Sequence, residues 1–143
     1  MIEQRKLNRD ELNRLILEAP DYEVRNMLRI LGEMQIEPYD FFEQFAVDYF
    51  GLLADGNPIY IAVLTKNDDG EFDFWTVSVV NKDYLLSLCK YSKRELEKWR
   101  KKYTPIYATM ETSASEENKK WCRWLGFNEV SKDKDTITFK IGE

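Results

Sequence analysis

A chain of 143 residues, 43% hydrophobic and 14% aromatic, has the length of one domain and can bury a core without disulfides or metals. Its formal charge of −5 argues against general nucleic-acid binding, and the absence of histidine excludes histidine-based triads. Two separated cysteines, Cys89 and Cys122, cannot make a usual zinc site and point to free thiols in a reducing compartment. No leader-like segment occurs, and no apolar run approaches the roughly 20 residues that span a bilayer. The expectation is therefore one soluble domain over residues 1–143, cytoplasmic, with no membrane partner and no metal. The charge is unevenly spread. Glu33 to Asp73 holds ten acidic residues against Lys66 alone, whereas Asn81 to Tyr103 holds eight basic and three acidic residues. An acidic pole suits an amine or a basic protein surface and a basic pole suits phosphate, although solvated helix faces and loops are the favoured explanation.

Met1 to Lys6 reads as an edge strand. Asn8 with Glu11 forms a capping box for a helix striped by Leu12, Leu15, Ile16 and Ala19, and Pro20 ends it. Asp21 is expected to cap a second helix with Val24, Met27, Leu28 and Leu31 inward, closed by Gly32. A linker containing Pro38 then leads to Tyr39, Phe41, Phe42 and Phe45. These aromatics suit a core, an acceptor-pocket wall or a partner patch, with core favoured. Tyr49–Ala54 and Ile59–Thr65 read as a hairpin around Asp55-Gly56-Asn57-Pro58, the second strand apolar on both faces and hence central. After a turn at Asn67-Asp68-Asp69-Gly70, Phe72 to Val80 continues the meander.

Ser92-Lys93-Arg94-Glu95 has the capping-box pattern and predicts a helix start at Ser92. Ile106 to Glu111 alternates as a strand. Ser115 is expected to open a last helix, with Asn118, Trp121, Cys122 and Leu125 on one face and Gly126 as its cap. Ile137, Phe139 and Ile141 alternate in a final strand after a turn at Lys132 to Asp135. The predicted class is α/β (α+β): a mixed, mostly antiparallel sheet of six or seven strands with helices on both faces.

The order of these elements, with the opening Ile2 to Leu7 strand, the Asn8 to Leu12 helix start and the terminal Leu125-Gly126-Phe127, resembles the GCN5-related N-acetyltransferase (GNAT) fold. The segment Lys82 to Ile141 is most similar to small acetyltransferase-like or internal virion proteins of short-tailed phages. The resemblance implies acetyl-CoA as cofactor, held by backbone atoms near Val77 and Val79, with Ser92, Lys93 and Arg94 on the phosphates and Ser115 and Asn118 nearby. In that family a glycine-rich loop approaches the pyrophosphate, because glycine lets backbone amides come close to the anion. Lys82 to Arg94 contains no glycine. A tyrosine four residues before the glycine of Gly-Phe often protonates the leaving thiolate, and Cys122 occupies that position, with a packing role favoured over an acid role. Asp73 and Glu111 are candidate bases without a motif behind them. No Walker-type or dinucleotide glycine motif occurs.

Two functions remain open from this sequence. One is an N-acyltransferase acting on an amine substrate. The other is a phage virion or assembly protein that keeps the fold as a scaffold and binds a protein partner, in the host cytoplasm or in the particle.

Overall fold

The computed structural model describes residues 2–79, 82–112 and 116–142. Its seven strands form one mostly antiparallel sheet, accompanied by five α-helices. In chain order these are β1 (Ile2–Arg5), α1 (Arg9–Glu18), α2 (Asp21–Met34), α3 (Pro38–Phe45), β2 (Ala46–Ala54), β3 (Asn57–Lys66), β4 (Phe72–Ser78), α4 (Leu85–Lys102), β5 (Ile106–Glu111), α5 (Glu116–Leu125), β6 (Asn128–Lys132) and β7 (Thr136–Ile141). The strand order is β1-β2-β3-β4-β5-β7-β6. Two compact units share the chain, one comprising Met1–Thr65 and Thr76–Leu85, the other Lys66–Trp75 and Leu86–Glu143.

In the first unit the expected capping box is present. The Asn8 side chain accepts from the Glu11 amide at 2.9 Å, and Glu11 Oε1 accepts from the Asn8 amide at 3.0 Å. The same carboxylate takes both Arg5 guanidinium nitrogens, at 2.8 and 2.6 Å, which ties the end of β1 to the first turn of α1. β1 pairs with β2 from Ile2↔Ala54 to Arg5↔Gly51, and a Cβ at Gly51 would overlap the Leu7 side chain. The β2–β3 hairpin turns through Asp55 and Gly56, both at positive φ (51° and 83°), as the twist of a tight hairpin requires. Pro58 to Leu64 are all buried, in keeping with a central strand.

Three expectations in this unit are corrected. Asp21 is the first residue of α2, and Pro20 holds the cap position without a side-chain bond. The helix also runs past Gly32. A glycine costs a helix only about 1 kcal/mol, and Glu33 and Met34 are good helix formers, so the left-handed cap falls at Gln35 (φ 55°) instead. The Gln35 amide donates to the Gly32 carbonyl and the Ile36 amide to that of Leu31. Lastly, the segment read as a linker is α3, with Pro38 in its first turn, where a missing N–H costs nothing. Its aromatics divide between inside and outside. Phe42 is fully buried beside Tyr49 at 5.9 Å, while Phe45 is 47% exposed and packs on Phe41 at 5.3 Å.

In the second unit, the Asn67 side chain accepts from the amides of Asp69 and Glu71 and holds the turn into β4. Phe74 of β4 meets Trp99 of α4 (6.2 Å) and Phe127 (5.7 Å), and Phe72 meets Tyr103 (5.2 Å). β5 pairs along its whole length with β7, from Ile106↔Ile141 to Glu111↔Thr136, and β6 lies outside β7. β6 escaped the sequence reading because all five of its residues are exposed, Val130 included, leaving no inside–outside alternation to detect.

The largest correction concerns Ser92. α4 begins at Leu85 after a single 3₁₀ turn at Lys82–Tyr84, which places Ser92 in mid-helix with its side chain fully buried. Leu88, Ser92, Leu96 and Trp99 form one continuous buried stripe, and nothing between Leu85 and Tyr91 breaks a helix. The helix therefore propagates through the local capping pattern.

Candidate functional site

β4 and β5 run parallel, with Phe72 paired to Ile106 and Asp73 to Tyr107. β5 continues to Glu111 against β7. Parallel strands normally extend an even ladder of hydrogen bonds. Where a ladder of this kind ends, a strand edge pairs readily with an extended ligand.

Asp73 is paired with Tyr107. It is half-buried, the Asn67 amide lies 3.4 Å from its Oδ2, and burial raises its carboxyl above the ordinary range. Opposite it, Tyr107 shares its hydroxyl with Glu71, which raises the phenol. Glu111, the other candidate base, is the last residue of β5.

The predicted cofactor residues lie on several elements. Val77 is buried on β4, and the Val79 amide is already used, donating to the Ile59 carbonyl at 2.9 Å. Ser92 cannot offer a free amide, because a residue in mid-helix gives its N–H to the helix ladder. Lys93 and Arg94 are exposed about 12 Å along α4 from its first residue, beyond the reach of the dipole at that end. Each lies over an aromatic ring: Lys93 Nζ is 4.5 Å from the Trp124 centroid, and Arg94 Cζ is 5.1 Å from that of Tyr91. Ser115 lies outside the described residues, and Asn118 is exposed on α5.

Cys122 is 5% exposed on the inner face of α5, and burial pushes its thiol up to about 11. Two residues after it the helix begins to close. The Gly126 amide donates to the Arg123 carbonyl and the Phe127 amide to that of Cys122, with Gly126 at φ +110°. The cysteine is thus held in a closed helical turn as a neutral, poorly acidic group.

The sequence reading also missed Leu86 and Trp124, apolar residues that stand on the polar sides of α4 and α5 at 85% and 49% exposure. Their departure from the buried stripes was the available signal. Among the described residues no cluster of three or more His, Cys, Asp or Glu side chains is placed to hold a metal ion, and no helix is long and apolar enough to cross a membrane.

No protein-family model matches the sequence, and no curated protein sequence matches it. Solved structures do. The PaiA N-acetyltransferase from Thermoplasma acidophilum, in complex with coenzyme A, is similar over 100% of this chain and 99% of its own, with a TM-score of 0.69 at 15% identity. The Campylobacter jejuni N-acetyltransferase PseH, in complex with acetyl coenzyme A, matches over 100% and 99% with a TM-score of 0.61 at 14% identity. A GNAT-family acetyltransferase from Bacillus anthracis matches over 98% and 93% with a TM-score of 0.62 at 12% identity. At such identities the likeness carries the architecture, and the chain has the fold of the GNAT N-acetyltransferases.

Proposed function

We propose that this protein binds an acyl-CoA, acetyl-CoA in the first instance, along β4 beyond Asp73, and passes the acyl group to an amine. The likeness over the whole chain to N-acetyltransferases solved with coenzyme A and with acetyl coenzyme A carries this reading. The bound thioester supplies an activated carbonyl. Asp73, made more basic by burial, takes the proton from the acceptor ammonium so that a neutral amine attacks. Cys122 gives no proton, because its thiol is buried and raised to about 11, so water protonates the departing thiolate. Without glycine from Lys82 to Arg94, the diphosphate has no close backbone cradle in that stretch, and weaker coenzyme binding follows.

A second reading draws on two of the same observations. The glycine-free stretch and the buried Cys122 suit a phage virion or assembly protein that retains the fold without turnover. Calorimetric titration with acetyl-CoA, followed by assay of thiol release with primary amines and lysine-containing peptides, separates the two. Saturable binding with amine-dependent thiol release that falls at least a hundredfold in Asp73→Asn supports the transferase. Saturable binding without release supports a degenerate enzyme, and no binding supports the scaffold.

A further inference from the structure

The outward face of α4 carries a groove of about 480 Å³ that the acyl-transfer reading does not use. Leu86, Lys90, Lys93, Arg94 and Glu97 line it at helical spacings of three and four, and Trp124 of α5 flanks it. From Leu86 to Glu97 it runs three turns, about 16 Å. Neither apolar residue is part of the buried stripe of its helix. Leu86 is 85% exposed and Trp124 49%, whereas the stripe of α4 is Leu88, Ser92, Leu96 and Trp99. Exposed leucine and tryptophan beside three cations and one carboxylate form a local basic, apolar surface on a chain whose formal charge is −5.

We propose that this groove docks an acidic segment of a partner protein, one bearing an aliphatic or aromatic side chain flanked by Asp or Glu. Charge complementarity selects the acidic residues, which meet Lys90, Lys93 and Arg94 at the rim. The apolar side chain seats against Leu86 and the edge of Trp124, the kind of aromatic anchor that dominates interfaces. A nucleic acid fits less well. The Trp124 ring is already engaged by Lys93 at 4.5 Å and stacked with Trp121 at 6.4 Å and 17°, so it is a poor platform for a base.

The test is selection of a random peptide library on the purified full-length protein, with the enriched peptides measured by fluorescence anisotropy. The expected sequences combine Asp and Glu with Leu, Phe or Trp. Lys90→Glu with Lys93→Glu, and separately Leu86→Ser, should each weaken them at least tenfold. Leu86 is exposed enough that its substitution leaves circular dichroism unchanged. Acetyl-CoA titration should be unaltered in Leu86→Ser, so failure of the groove and failure of the acyl-CoA site are read separately. Enrichment without acidic residues, equal binding by the variants, or tighter binding of an oligothymidylate than of the best peptide would overturn the proposal.

Discussion

Replacing Gly126 tests whether α5 ends as described. The residue sits at φ +110°, outside the left-handed well that L-residues tolerate, and a Cβ built there falls 3.1 Å from Ile141 Cδ1. Ile141 is 3% exposed, so its terminal methyl has little room to retreat. For Gly126→Ala a backbone strain of about 2 kcal/mol, offset by roughly 0.7 kcal/mol from the stiffer unfolded chain, leaves a net loss of about 1.3 kcal/mol. Gly126→Val adds γ-methyls towards the same neighbour, and overpacking of about 2 kcal/mol brings the loss to about 3.3 kcal/mol. Urea unfolding followed by tryptophan fluorescence and circular dichroism measures both. A graded fall in midpoint, with valine worse than alanine, is expected. An alanine variant with an unchanged or raised midpoint would refute the positive-φ cap and the closed turn around Cys122.

Cys122→Ala should cost about 1 kcal/mol or somewhat more from lost packing while any acetyl transfer stays within a few-fold, as unfolding and thiol-release assays would read. A thiol reagent at neutral pH should label Cys89 well before Cys122 in the folded protein. Glu11 is held below its ordinary value of 4.5, chiefly by hydrogen bonding to Arg5, so its contribution is complete above that value and lost as pH falls through the depressed one. Glu11→Gln should therefore lose no more than about 1 kcal/mol at pH 7, as for partly exposed ion pairs, and the gap to the parent should close in unfolding curves below about pH 4. Because Lys93 and Arg94 stand on mid-helix, Lys93→Glu with Arg94→Glu should leave the calorimetric affinity for acetyl-CoA within about threefold. A tenfold loss would return the phosphates to that face.

Two identical local patterns had opposite outcomes, and the contrast shows what a sequence can reveal here. Asn8 with Glu11 and Ser92 with Glu95 both have capping-box spacing, yet only the first starts a helix. Asn8 is preceded by a strand residue run that pairs with β2, whereas Ser92 is preceded by a helical stripe already in register with Leu96 and Trp99. The longer periodicity outweighs a cap worth about 1 kcal/mol. Gly126 was legible because the apolar stripe of α5 ends at Leu125, and Gly32 misled because the stretch around it could continue as helix. At the candidate site, the earlier start of α4 puts Ser92, Lys93 and Arg94 in mid-helix rather than in its first turn. The β4–β5 pairing at Asp73 was beyond local reading, since it depends on which residues of two strands distant in sequence meet.

Hydrogen–deuterium exchange with and without saturating acetyl-CoA tests the central proposal most directly. Coenzyme bound along β4 beyond Asp73 should slow exchange in peptides covering Phe74 to Val79. Unchanged exchange there while calorimetry shows binding, or no protection anywhere in the chain, would contradict it.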